Sequence, residues 1–458
     1  MIENDAFKLL LINLFHLNPN DITNIVCTTF NKMMVLLVTL ADKHQACPYC
    51  GFTAPKIKEY VTKEITHSAL TTQKCIIKYR ARRYKCPCCG KTYYEFNPFV
   101  FKSQKISILT VHNILKDLKD FNETFTSVAR RYHVSPTSVS TIFDNHVDIG
   151  RNPLPEIINF DEVYAFKSEK SKYVCVLLDF KKQIPVDVLP NRKKEYLLNY
   201  FQKIPLEERK KVKYACSDMY EVYRDVVHKV FPCSCMLLDY FHLSQDFHRK
   251  MNEVRIKVMK GYKDDKASDE YYLLKKFNWL LFKNPEDEDK YGRLFDVERE
   301  RKYNSHFKSY MNYYDLRKKL LEINNDLTIC YSLKLELVDF YSKSTIDNAQ
   351  VNLEHLIRSC IDTNIEEMIK FSNNLINWKQ EIINSFTIVD TEYKVEADKG
   401  QVVVCNKKVN NAIIENRNKI IKCIKNNANG YTNWSRFRNR VMYVLDPNTT
   451  FSLEPREK

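Results

Sequence analysis

Glycine is scarce in this chain, seven residues among 458. That scarcity excludes collagen-like and Gly-rich architectures and most glycine-loop nucleotide sites. No run approaches the ~20 apolar residues that span a bilayer; the longest, such as Met33 to Ala41, has the size of a core helix. Internal repeats and low-complexity tracts are missing too, so an ordinary multidomain protein of roughly 150 residues per domain is expected. The opening residues Met1-Ile2-Glu3-Asn4-Asp5 carry no basic leader segment, and a soluble cytoplasmic chain is the expectation.

What is present points the other way, toward metal and polyanion. Fifteen cysteines, an odd number, read as mostly reduced thiols, with close pairs taken as metal ligands before disulfides. The formal charge of +15 fits a polyanionic partner, nucleic acid ahead of a membrane surface. Richness in Lys, Asn and Ile also follows from an AT-rich genome, so charge alone carries little weight.

Periodicity divides the chain into a helical segment at 1–45, a cysteine-bearing module at 46–98 and a helical region at 104–150. Short apolar runs then fill 155–242: Ile157 to Phe160, Tyr173 to Asp179, Ile184 to Leu189, Val212 to Cys216 and Cys235 to Tyr240. Helical patterns at Lys193 to Gln202 and Tyr220 to Val230 interrupt them, which predicts a mixed α/β sheet. A long helical region at 243–400 follows, with breaks near Pro285, Asn324-Asn325 and Asp362-Thr363. A closing segment at 401–446 holds a helix over Asn411 to Asn427, stopped by Asn429-Gly430. A frayed polar tail covers 447–458. Trp279, Trp378 and Trp434 are expected as core anchors.

Cys47-Pro48-Tyr49-Cys50-Gly51 and Cys86-Pro87-Cys88-Cys89-Gly90 form a C-x2-C pair of pairs. Four such thiolates can surround Zn²⁺ tetrahedrally, and the glycine behind each pair relieves the tight turn. The register favours Cys86 with Cys89 over Cys88; buried free cysteines are the bland alternative. The strand Lys78-Tyr79-Arg80-Ala81-Arg82-Arg83-Tyr84-Lys85 interleaves cations and aromatics, so Arg80, Arg82 and Arg83 become DNA-backbone candidates, against a merely solvated strand face.

Phe125 to Phe143 has the features of a helix-turn-helix. Ala129 is small where helices cross, Ser135 can cap the second helix, and Pro136 suits its first position. Val139 and Ile142 face inward, while Thr137, Ser138 and Thr141 face a groove, with Arg130 and Arg131 beside them. An ordinary helical hairpin remains open.

Asp161 ends one apolar strand and Asp218 another, 57 residues later. Acids delivered from strand ends can bridge divalent cations for phosphoryl chemistry. Glu415 in the terminal helix offers a third ligand, with Glu162 and Asp239 as rivals; singly, each acid reads equally as a loop or capping residue. Asp239 and His242 are placed beside the site, either behind its ligands or on DNA. Helix periodicity sets Asn418 and Lys422 on the face of Glu415, where they are expected against DNA phosphates.

Several of these stretches together resemble the ISL3 family of bacterial insertion-sequence transposases. They are Phe160-Asp161-Glu162, Asp187 to Glu195, Ser217 to Tyr220, Asp239-Tyr240-Phe241-His242 and the run from Asn410 to Tyr431. The resemblance implies an RNase H-like catalytic domain over 155–242 and 401–446, split by the 243–400 helical insertion. It implies a DDE triad of Asp161, Asp218 and Glu415 holding Mg²⁺ or Mn²⁺. It also implies an N-terminal zinc and helix-turn-helix unit on the element's terminal inverted repeats, with target DNA as a second partner. A homodimer on paired ends and a nucleoid-associated location accompany that reading. The competing expectations are a catalytically inactive, domesticated DNA-binding regulator and a nuclease that cuts without joining.

Overall fold

A computed structural model describes residues 2–43, 46–101, 104–166, 171–394 and 402–456. The first unit comprises α1 (Ile2–Leu14) and strands β1 (Ile22–Phe30), β2 (Met33–Leu40), β3 (Lys56–Thr66), β4 (Cys75–Lys85) and β5 (Thr92–Tyr94). They form one sheet in the order β1-β2-β4-β3, with β5 on the far end of β4. The helical segment expected over 1–45 is confined to α1. Asn31 and Lys32 take left-handed φ values of 48° and 60°, the geometry of a two-residue hairpin turn. The apolar run after that turn is therefore a strand, with Leu36, Val38 and Leu40 buried while Leu37 stays exposed. A run this short satisfies a helix or a strand equally until its turn and partner are known.

Three helices follow, α2 (Ile108–Asp117), α3 (Phe125–Arg131) and α4 (Pro136–His146). Ser107, Thr124 and Ser135 cap them, each accepting a backbone N–H with its side-chain oxygen. The 67–68 corner locks them to the first sheet. There the buried His67 ring bridges the Phe15 carbonyl at 2.8 Å and Ser107 Oγ at 2.9 Å, and Ser68 Oγ donates to the Tyr132 carbonyl at 2.6 Å.

The central sheet contains β6 (Ile157–Val163), β7 (Val174–Asp179), β8 (Pro185–Leu189), β9 (Tyr214–Ser217) and β10 (Cys235–Leu238), in the order β10-β9-β6-β7-β8. β6, β7 and β8 form an antiparallel meander, while β9 and β10 run parallel to β6. Helices α5 (Lys194–Gln202) and α7 (Glu221–Val230) cover one face, and the short α6 (Leu206–Arg209) precedes β9. These elements fall where the apolar runs and helical spacing put them. The other face shares its core with the three-helix unit, so residues 104–150 do not stand apart as a separate body.

An insertion with its own core begins at α8 (Tyr240–Gly261) and runs through α9 (Asp269–Lys276), α10 (Tyr313–Glu322), α11 (Asn325–Lys343), α12 (Ala349–Asp362), α13 (Glu366–Asn377) and α14 (Lys379–Asn384). It is not wholly helical as expected. Two small hairpins, β11 (Glu288–Asp289) with β12 (Gly292–Arg293) and β13 (Lys302–Asn304) with β14 (Ser309–Met311), interrupt it. A longer hairpin, β15 (Ile388–Lys394) with β16 (Val402–Lys408), crosses the boundary expected at 400. Val389 and Val409 from that hairpin's base pack with Leu237, so the insertion leaves and rejoins the sheet at one place. Trp378 is buried in the insertion core, with Trp279 packed against it.

The chain closes with α15 (Ala412–Asn427) and α16 (Trp434–Leu445). Asn429 and Gly430, at φ 54° and 98°, end α15, and the Gly430 N–H donates to the Lys425 carbonyl at 2.9 Å. Helix α16 fastens the three-helix unit to the sheet. Arg440, buried, donates to the carbonyls of Asp120 and Glu123, Tyr443 Oη donates to the Leu115 carbonyl, and Arg438 reaches Asp187 of β8 at 2.6 Å. The tail expected to fray is held through residue 456: the His146 ring meets the Ser452 carbonyl at 2.7 Å, and the Arg456 N–H donates to the Asn145 carbonyl.

Candidate active site and metal centre

The two cysteine pairs sit on matching knuckles. In each, the glycine N–H donates back to the first cysteine's carbonyl, Gly51 to Cys47 at 2.8 Å and Gly90 to Cys86 at 2.9 Å. Both glycines take positive φ, 75° and 72°, which a side chain would strain. The β3–β4 hairpin brings the knuckles together, so that Cys47 and Cys89 sulfurs lie 3.7 Å apart, Cys50 and Cys86 3.5 Å, and all four within 4.8 Å. A tetrahedral site with Zn–S of about 2.3 Å has edges of about 3.8 Å, so the four sulfurs are compatible with zinc. Cys88 is exposed and outside the group. The backbone N–H of Cys89, with Cys50 and the N–H of Cys88, brings the Cys86 thiol down to about 7, toward the thiolate a metal requires.

The DNA-contact candidates divide by what else they touch. Arg80, Arg130, Thr137, Thr141 and Lys422 are exposed. Ser138 is half-buried and shares a 2.8 Å hydrogen bond with the capping Ser135. Arg82 is different: it pairs with buried Glu95 at 2.8 Å and donates to the Leu40 carbonyl at 3.2 Å, so it is a structural cation. Arg131 is engaged by both Asp117 and Glu123, and Arg83 pairs with Glu59 at 2.7 Å. In each case a partner lies outside the strand or helix that carries the arginine, which residue spacing does not reveal.

The acidic site lies at the carboxyl ends of three neighbouring parallel strands. Asn159 pairs with Cys216, and Leu238 with Ser217; continuing that register sets Asp161, Asp218 and Asp239 in one row. Neighbouring strands are about 4.8 Å apart, so the row concentrates negative charge. Asp161 is 8% exposed and Asp239 2%. Burial, with the charges of Asp218 and Glu415 adding to it, lifts the Asp161 carboxyl to about 7 despite an N–H from Glu162. Burial likewise raises Asp218 and Asp239, and His242 opposes both shifts.

Glu415 joins this group from the first turn of α15. Its Oε1 is 3.9 Å from His242 Nε2, which is itself 3.8 Å from Asp239 Oδ2. Across more than 250 residues of sequence, an amide pair sets the start of that helix. Asn159 Nδ2 donates to Asn411 Oδ1 at 2.6 Å, and Asn411 Nδ2 returns to the Phe160 carbonyl at 3.1 Å. Asn418, expected on a DNA phosphate, is instead buried and donates to Asp161 Oδ2 at 2.8 Å. Its spacing from Glu415 was legible, but not that this helix face turns inward. Glu162 is taken by Arg192, whose guanidinium lies 4.7 and 4.8 Å from the Tyr173 and Tyr220 ring centres. Arg192 and the two asparagines were missed as site residues. Asp187 belongs elsewhere, with Tyr200 and Arg438.

Asp218 Oδ1, Asp239 Oδ2 and His242 Nε2 are buried with no hydrogen-bond partner. Two orphaned carboxylate oxygens and an unpartnered imidazole nitrogen beside further carboxylates are a donor set that fits a divalent cation.

The protein is thus an α/β fold with acids gathered at the ends of its parallel strands. A family model described as a transposase, that of the ISL3 family, matches residues 158–397, and the chain belongs to that family. It is therefore a DNA-processing enzyme of the transposase class. Among curated proteins it is similar to the transposase for insertion sequence element IS1001 of Bordetella parapertussis, at 19% identity over 409 residues, covering 89% of this chain and 90% of the relative. The matched family segment contains Asp161, Asp218, Asp239 and His242 and stops before Glu415. Among the described residues no helix is long and apolar enough to cross a membrane.

Proposed function

We propose that the protein binds the terminal inverted repeats of an insertion sequence and catalyses both cleavage and transfer of their strands. Asp161, Asp218 and Glu415 would hold two divalent cations, Mg²⁺ or Mn²⁺. When bound, such ions activate water or a DNA 3′-hydroxyl and stabilise the leaving oxygen. The observation that carries this reading is the row of buried strand-end carboxylates with orphaned oxygens, met by Glu415 from α15. The order β8-β7-β6-β9-β10, an antiparallel meander extended by parallel strands, supports an RNase H-like core.

The protein's own groups prepare the site. Asn418 orients Asp161 through Oδ2, leaving Oδ1 beside the Glu162 N–H. Arg192 pairs with Glu162 and offsets part of the repulsion that this acid exerts on Asp218. Four cysteine thiolates would hold a structural Zn²⁺ and fix the hairpin that carries exposed Arg80. Helices α3 and α4 would act as a helix-turn-helix, with Thr137, Ser138 and Thr141 toward a DNA groove and Arg130 and Lys422 on phosphates. Two ends joined in one reaction call for two copies, and a homodimer on paired ends is part of the proposal.

The retained acids weigh against a purely regulatory protein. The test supplies a labelled terminal repeat, intact and pre-nicked, with Mg²⁺ or Mn²⁺. The wild type is expected to cut and to form joined products. Asp161→Asn and Asp218→Asn are expected to fold and bind the repeat without either reaction. Cutting without joining would identify a nuclease, binding without cutting a regulator, and full joining by Asp161→Asn would overturn the site.

A further inference from the structure

We infer that Asp239, His242 and Glu415 form a metal position with a nitrogen ligand, one that favours Mn²⁺ over Mg²⁺. The inference rests on reading the acidic site as a divalent-cation centre and adds two ligands that the triad does not contain. The separations are the first support. At 3.8 and 3.9 Å, His242 Nε2 is too far from Asp239 Oδ2 and Glu415 Oε1 for a hydrogen bond. Both gaps are below about 4.2 Å, twice the metal–oxygen distance of a small divalent ion, and all three atoms lie within 4.8 Å of one another, so a small movement of Asp239 or Glu415 lets one ion touch all three.

Satisfaction is the second support. Asp239 is 2% exposed, and its Oδ2 and the His242 Nε2 are both buried without a partner. Two acceptors facing each other cannot satisfy one another while the imidazole is neutral at Nε2. A cation placed between them satisfies both, and the Nε2 lone pair is then its ligand.

The scaffold supplies the third. Asp239 is the N-cap of α8 and His242 its third residue, so both lie on one face of a 22-residue helix rooted in the insertion core. Glu415 comes from the opposite side, on a helix start fixed by the Asn159–Asn411 pair. Neither half of the position depends on a loose loop. Mg²⁺ takes oxygen ligands almost exclusively, whereas imidazole suits first-row transition ions. A site of two carboxylates and one imidazole therefore shifts selectivity toward Mn²⁺ relative to an all-carboxylate site.

The test uses the full chain with Zn²⁺ on its cysteines, without DNA, and Mn²⁺ as the probe. Pulsed electron paramagnetic resonance on the wild type is expected to show a directly coupled ¹⁴N nucleus, and His242→Gln to abolish it. By calorimetry, His242→Gln is expected to lower the Mn²⁺-to-Mg²⁺ affinity ratio by about tenfold or more, the scale at which metal-site changes act. Asp161→Asn is expected to weaken both ions while leaving the nitrogen signal. Absence of ¹⁴N coupling in the wild type, or an unchanged affinity ratio in a folded His242→Gln protein, would overturn the inference and leave His242 as a DNA contact. If Asp161→Asn and Asp218→Asn also leave metal binding untouched, the underlying reading of the site fails instead.

Discussion

The cysteine cluster takes its four sulfurs from two knuckles joined by one hairpin, whereas the acidic site draws on β6, β9, the start of α8 and the start of α15. In the first, four sulfurs stand within 4.8 Å of one another, two pairs of them at 3.5 and 3.7 Å, before a metal arrives. In the second, carboxylates that repel are packed together by a scaffold already folded around them, and burial pushes the proton affinities of Asp161, Asp218 and Asp239 up. A metal at the cysteines would complete a fold; a metal at the acids would be received by one. Local sites of the first kind are readable from spacing, and non-local ones of the second kind need the fold.

Five outcomes would break or sharpen that contrast. The largest effect is expected from Asp161→Asn or Asp218→Asn, which should lower strand cleavage at least about a thousandfold, the rate equivalent of several kcal/mol of lost charge stabilisation. The same variants should melt higher in metal-free buffer, because they remove buried repulsion; a lower melting temperature would mean the acids are structural.

Next in size, removing zinc, or replacing Cys86 with Ser, should loosen the first unit and abolish end binding while the central sheet stays folded. Limited proteolysis should cut within 46–98 first. Simultaneous loss of the whole fold would show that the two sites are not independent. Arg82→Ala should also act on stability rather than on DNA. It strands Glu95, whose side chain is 6% exposed, and should destabilise that unit by about 3 kcal/mol, as broken buried pairs do. Arg80→Ala, at an exposed position, should leave stability unchanged and reduce the salt dependence of DNA binding by about one ion.

The smallest effect is in pH. Burial pushes the Asp161 carboxyl up to about 7 in the folded chain, from ~3.9 when unfolded. A raised folded value contributes stability below the unfolded one and loses it as pH rises through the folded one. Asp218 and Asp239 shift in the same direction. Metal-free protein should therefore lose melting temperature between about pH 4 and 7, and Mg²⁺ should restore it above pH 7. A flat profile, or the same slope in Asp161→Asn, would contradict the assignment.

Much of the central sheet was legible because its strands are short apolar runs with punctuation between them, and burial on both faces requires such runs. The pairing of Cys86 with Cys89 was legible because a metal knuckle has a register. Met33 to Ala41 was misread because its length suits a helix or a strand, and only the Asn31-Lys32 turn decides between them. Arg82, Arg131 and Asn418 looked like DNA contacts because sequence shows a cation or an amide without showing who meets it. Glu415 was one candidate among three until family resemblance preferred it, and what carries it to the aspartates is the Asn159–Asn411 amide pair, a contact across 252 residues.

Helix α16 has a mechanical meaning. Arg440, Tyr443 and Arg438 weld the three-helix unit to the sheet that carries the acids, so those two bodies cannot swing independently. With α4 on DNA as proposed, the enzyme becomes a fixed calliper: the number of base pairs between the sequence it reads and the bond it cuts is set by protein length rather than by a search. An added base pair in that interval would carry the scissile phosphate past the acids and round the duplex.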